Sequence, residues 1–160
     1  VMHLQQAETA EEVETILKDP DIFDRIAEDG HNVVDYSVTM DNCFMLIVQN
    51  GNVIGVWCLY PANRTTLNIH CNILEQHREH GKEAARLILK WFVQESPEQY
   101  QKLNAEIPMI YPEVYHFTKH QGFQDEGINR LSIRKQGQLV DQWRLGITRN
   151  EVLKGAIWDS

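Results

Sequence analysis

The densest concentration of chemistry lies in HCNILEQHREHGKEAAR, residues 70–86. Before it, Leu67, Ile69, Cys71 and Ile73 alternate with Asn68, His70 and Asn72, which predicts a strand with one apolar and one polar face. After it, Ala84, Leu87, Ile88 and Trp91 recur at helical spacing, so a helix starts near Gly81. A helix N-terminus offers unpaired N–H groups and the positive end of its dipole to an anion. Gly81 would let a phosphate approach the main chain, Arg78 and Lys82 add charge, and His77 and His80 stand nearby. The same residues also read as an ordinary helix start with solvated basic side chains.

Two further sets bear on chemistry. Glu113, His116 and His120 would share one helix face, and His-x-x-x-His can ligate zinc. No further Cys or His completes a tetrahedral set, so no metal is predicted. Cys43, Cys58 and Cys71 are widely spaced and form no CxxC pair, which reads as reduced, buried thiols in the cytoplasm. Their apolar surroundings argue against a nucleophilic role.

The elements that must position these groups come from one domain of 160 residues. Its formal net charge of −8 argues against a surface built to neutralise nucleic-acid phosphates. No apolar run is long enough for a membrane helix, and the first residues do not read as a secretory signal.

A short strand is predicted over 2–7, then a helix opened by the capping box Thr9 to Glu12. Pro20 starts a second helix that Gly30 closes. Two apolar runs around Asn50-Gly51 predict a hairpin, and the strand and helix around residues 70–86 follow. A strand LNAEIP, a helix from Pro112 to Gln121 and two strands joined near Gly137 complete the sheet. Thr148 to Glu151 repeats the capping box and predicts a short helical extension over 148–160. The order β-α-α-β-β-β-α-β-α-β-β implies an α/β fold with a mixed, mostly antiparallel sheet of six to seven strands and about four helices.

That order resembles the GNAT acyltransferase superfamily across nearly the whole chain. Arg78-Glu79-His80-Gly81-Lys82-Glu83 stands where the family carries [Q/R]-x-x-G-x-[G/A], whose amides bind the pyrophosphate of an acyl-CoA. Arg78 and Gly81 match. Glu83 replaces a small residue and brings a carboxylate that would oppose a bound pyrophosphate. Phe117-Thr118-Lys119-His120-Gln121-Gly122-Phe123 resembles the family's "L-Y-x-K-x-G-F", with Thr118 in place of the tyrosine that protonates the leaving thiolate.

The resemblance implies acetyl-CoA as cofactor, held in a notch where the fourth and fifth strands splay, with Ile73, Arg78, His80, Gly81 and Lys82 at its site. It implies His70 or Glu106 as the base that deprotonates an amine, and Tyr115, one turn before Thr118, as the acid. The alternative readings are a sheet histidine bonded to Asn68, Asn72 or water, a solvated strand carboxylate and a packing tyrosine. Asp19, Asp21, Asp24, Glu28 and Asp29 read as a solvated acidic face. In GNAT proteins the loop between the first two helices borders the acceptor pocket, where an acidic rim suits a cationic amine.

More narrowly, DPDIFDRIAEDG, HCNILEQHREHGKEAAR and AEIPMIYPEV resemble GNAT-like proteins encoded by tailed bacteriophages and prophages. Two functions are therefore implied. One is an acyl-CoA-dependent N-acetyltransferase in the cytoplasm, acting on a small-molecule or peptide amine. The other is a non-catalytic phage protein serving the virion, its assembly or host contact, with a phage structural or host protein as partner. Neither involves nucleic acid or a membrane, and either is compatible with a homodimer.

Overall fold

The computed structural model describes residues 1–155, so the extension expected over 148–160 is described only in part and its end lies outside the described residues. The elements are β1 (Met2–Gln6), α1 (Ala10–Leu17), α2 (Pro20–Ile26), β2 (Cys43–Gln49), β3 (Asn52–Pro61), β4 (Thr66–Ile73), α3 (Gly81–Gln94), β5 (Lys102–Pro108), α4 (Pro112–His120), β6 (Gln124–Lys135), β7 (Gln138–Thr148) and α5 (Arg149–Leu153). The strands hydrogen bond in the order β1-β2-β3-β4-β5-β7-β6. This is the mixed, mostly antiparallel sheet predicted from the sequence. Among the described residues no helix is long and apolar enough to cross a membrane.

The chain divides into two compact units, 1–60 with 69–88 and 61–68 with 89 onward. In the first, α1 begins at its predicted cap: the Glu12 N–H donates to Thr9 Oγ1, and the Thr9 N–H donates to the Glu12 carboxylate. Val13, Ile16 and Leu17 of α1 bury against Phe44, Leu46 and Val48 of β2 and Val56 and Cys58 of β3. Asn50 and Gly51 both have positive φ, 51° and 82°, which is the backbone a two-residue primed turn requires. At Gly55 a Cβ would stand 2.4 Å from the Asn72 carbonyl oxygen, so glycine there allows β3 and β4 to pair closely.

Helix α2 ends at Ile26 and does not continue to Gly30, because Ala27 turns extended after its N–H bonds back to the Phe23 carbonyl. No apolar residue after Ile26 keeps the helical spacing. In β4 the alternation slips by one residue: His70 and Cys71 are both exposed, while Asn72 is buried with its amide donating to Cys58 Sγ at 3.5 Å. Among the cysteines Cys58 is a buried residue and Cys43 a half-buried one, and burial pushes the Cys58 thiol up to about 12.

In the second unit β4 and β5 pair in parallel over Thr66–Asn68 and Lys102–Asn104. From Ala105 to Pro108, β5 continues against β7. Leu103, Ile107, Leu145, Ile147 and Phe123 form the buried apolar face. The edge strand β6 shifts register against β7 twice, between Asp125 and Gly127 and between Asn129 and Ile133.

Arg149, which opens α5, ties this unit together. Its guanidinium group donates to the carbonyls of Tyr100, Val93 and Pro97 and to Ser96 Oγ, and lies 4.7 Å from the Phe92 ring centroid. Replacing it strands several acceptors at once. We expect Arg149→Ala to cost about 3 kcal/mol in urea unfolding and Arg149→Lys to recover less than half, because an ammonium cannot span the fork.

Candidate active site

In the first unit, a 3-10 helix over Glu75–His80 runs directly into α3. The glycine expected to open a phosphate-binding loop is therefore helical, with φ −58°, and buried; its N–H donates to the Arg78 carbonyl. Arg78 extends to Asp21 of α2 in a close, partly buried ion pair, and Asp21 also lies 3.8 Å from Arg25. Asp19 caps α2, accepting from the N–H groups of Asp21 and Ile22. Asp19 and Asp21, read with their neighbours as a solvated face, therefore hold structure.

Lys82 and Glu83 are exposed on the first turn of α3, and Glu83 is paired with Arg86 at 3.2 Å. That pairing counters the carboxylate that the sequence sets against an anion. The His77 and His80 rings stack at 6.3 Å, with His80 Nε2 3.5 Å from Glu79. Ile73 is buried at the end of β4. His70 is exposed and meets the Tyr60 ring edge-on at 5.8 Å, and burial raises the Tyr60 phenol well above its ordinary range. Residues Gly30, His31, Asn32, Asp35, Tyr36 and Ser37 line an open depression of about 310 Å³ between α2 and β2.

In the second unit, Glu106 faces Arg144 directly across the β5–β7 ladder, with Arg144 Nε 3.3 Å from its carboxylate. Tyr115 packs on the opposite face. Its ring stacks on Trp143 at 4.3 Å, and Trp143 is the partner of Ile107, one residue along from Glu106. The two sequence-predicted residues are thus separated by the thickness of the sheet. The Tyr115 hydroxyl donates to Asp125 Oδ1 at 2.8 Å, and Lys119 Nζ donates to Asp125 Oδ2 at 2.6 Å. The bond to Asp125 pushes the phenol above its usual range, while Lys119 and Tyr115 together hold the Asp125 carboxyl below the usual carboxylate range. A tyrosine so bound is a weaker acid than a free one. Thr118, at the family's tyrosine position, donates its hydroxyl to the Val114 carbonyl and offers no acid. Among the described residues no three His, Cys, Asp or Glu side chains stand where they could hold a metal ion.

Asp125 and Trp143 are absent from the sequence reading, since neither lies at a fixed spacing from Tyr115. Asn104 is also missed, although its alternation with Leu103 in LNAEIP marks it as a polar-face residue.

No family model and no curated protein matches the chain. Solved structures do, and they carry the GNAT fold. The spermidine N-acetyltransferase from Vibrio cholerae, in complex with CoA and spermine, superposes with a TM-score of 0.78 at 14% identity, over 95% of this chain and 98% of that one. A chimera of the Vibrio cholerae enzyme SpeG with hSSAT gives 0.78 at 15%, over 96% and 99%. Mutant forms of the same organism's spermidine/spermine N-acetyltransferase give 0.73 at 16%, over 96% of both chains. At these identities the likeness is one of fold.

The Tyr115–Asp125–Lys119 cluster makes a pH prediction. Because the folded-state pKa of Asp125 is depressed, its contribution to stability is present above the unfolded value and is lost as pH falls through the folded one. Carboxyl NMR titration is expected to place Asp125 below a model aspartate in the wild type and closer to it in Tyr115→Phe. An unchanged value in that variant would mean the phenol does not hold the carboxylate in solution.

Proposed function

We propose that the protein is an acyl-CoA-dependent N-acyltransferase acting on an amine in the cytoplasm. The observation that carries this reading is the basic N-terminal end of α3, where Arg78 and Lys82 flank Gly81, within a fold that the spermidine N-acetyltransferases share. The residues fit the anionic end of an acyl-CoA through their charge: Arg78 and Lys82 stand where the 3-10 helix passes into α3, and the adverse Glu83 is paired with Arg86. Arg78, His80 and Lys82 would hold it beside Ile73 and Gly81, whose N–H is given to the Arg78 carbonyl. Acyl-CoA supplies the acyl group as a thioester.

The chain's own residues have to take a proton from the amine and return one to the departing sulfur. His70 suits the first task better than Glu106, because an imidazole is a good base near neutral pH and Glu106 is engaged by Arg144. Tyr115 is the candidate for the second, and must release its bond to Asp125 to serve. A cationic amine, small or peptidic, suits a protein of net charge −8. The vibrio enzyme bound to spermine makes polyamines the first acceptors to assay.

A second reading is a GNAT-fold bacteriophage protein without turnover, serving the virion, its assembly or host contact. Asp21 holding Arg78 and Asp125 holding the Tyr115 proton favour its lack of turnover alone. Calorimetric titration with acetyl-CoA and with CoA separates the two. Under the first reading both bind, Arg78→Ala weakens binding about tenfold and Gly81→Asp abolishes it; Asp21→Asn, which releases Arg78, tightens it. No heat at millimolar ligand would sink the enzyme reading.

A further inference from the structure

Asn104 lies at the end of the short parallel ladder, opposite Asn68 on β4 and Gly146 on β7. Its neighbour Leu103 is fully buried on the apolar face, so Asn104 points to the other face with Lys102 and Glu106. On that face charges are matched: Lys102 with Glu126 at 2.6 Å, and Arg144 with Glu106 at 3.3 Å. Glu126 lies over Gly146, where a Cβ would meet its carboxylate at 2.5 Å. Asn104 is the exception. Its Oδ1 is buried, and no hydrogen-bond donor among the described residues reaches it.

A buried acceptor without a donor is costly, and natural proteins keep few of them. The acceptor is retained where a ligand donor completes it, and its neighbours narrow the donor. Glu106 and Glu126 are already matched by cations, so the vacant partner need carry no full charge to be balanced; it must present a hydrogen to a carbonyl oxygen.

We propose that Asn104 is a ligand-binding residue whose Oδ1 accepts a hydrogen bond from a ligand N–H. This rests on the acyltransferase reading. The N–H belongs either to an amide of the CoA arm or to the amine that receives the acyl group, and separate titrations with CoA and with spermine distinguish the two.

The test uses the full chain and Asn104→Leu, which removes both polar atoms and keeps the branching of the side chain. Thermal unfolding of the unliganded variant is expected to show a Tm at or above the wild type, by about 2–4 °C at most. One titration, CoA or spermine, is expected to weaken about tenfold. Asn104→Asp keeps an acceptor oxygen in place and is expected to stay within about threefold of the wild type in that titration. A lower Tm with both affinities unchanged gives Asn104 a structural role and overturns the proposal, as does a raised Tm with neither affinity changed. Should the leucine variant not fold, Asn104→Ala and Asn104→Asp decide by affinity alone, loss in the first and retention in the second being required. A wild-type protein that binds neither probe defeats the acyltransferase reading itself, and the wild-type titrations identify that failure before any variant is compared.

Discussion

The constraint on which the second unit depends is the way Arg149 closes the connection from α3 to β5. A parallel strand pair cannot be joined by a tight turn, so β4 and β5 need a long crossover, and α3 supplies it. The weak point of such a crossover is the stretch after the helix, where last-turn carbonyls lose their partners. Arg149 meets that need from outside the segment. It satisfies Val93, Pro97 and Tyr100 with one planar group and seats its face on Phe92. Its own N–H donates to the Gln101 carbonyl at 2.7 Å, just before β5 begins. The start of β5 is thereby fixed, and with it the three-pair ladder that brings Asn104 opposite Asn68.

Charge in this protein is spent locally. Arg78 goes to Asp21, Arg86 to Glu83, Lys102 to Glu126, Lys119 to Asp125 and Arg144 to Glu106. Each is partly exposed, so each adds little stability; their common effect is to set where a side chain points. Any anion that binds near α3 must compete with Asp21 for Arg78. The excess of acid over base then acts at longer range and draws cations toward the surface.

Local signals carried most of the fold. Asn50-Gly51, the two capping boxes and the helical spacing after Gly81 each act within a few residues, so periodicity and turn chemistry place them. What escaped depends on contacts distant in sequence. Asp21 and Arg78 are 57 residues apart, and no spacing rule joins them. The slip in β4 lies where the Asn72 carbonyl oxygen comes close over Gly55, a fit between strands that alternation within one strand does not encode. Tyr115 is legible as an aromatic one turn before Thr118. Its acidity is set by Asp125, beyond the end of its helix.

The two register shifts in β6 have a consequence for the molecule in a crowded solution. A straight edge strand offers an unbroken row of amide and carbonyl groups that another chain can copy. Here Leu131 is forced to φ 49°, and its N–H is taken by the Asp141 carboxylate, so the row is interrupted in its middle. Straightening that kink, with a deletion in 130–132 that restores even pairing to β7, would turn a self-limiting border into a template for fibrous growth.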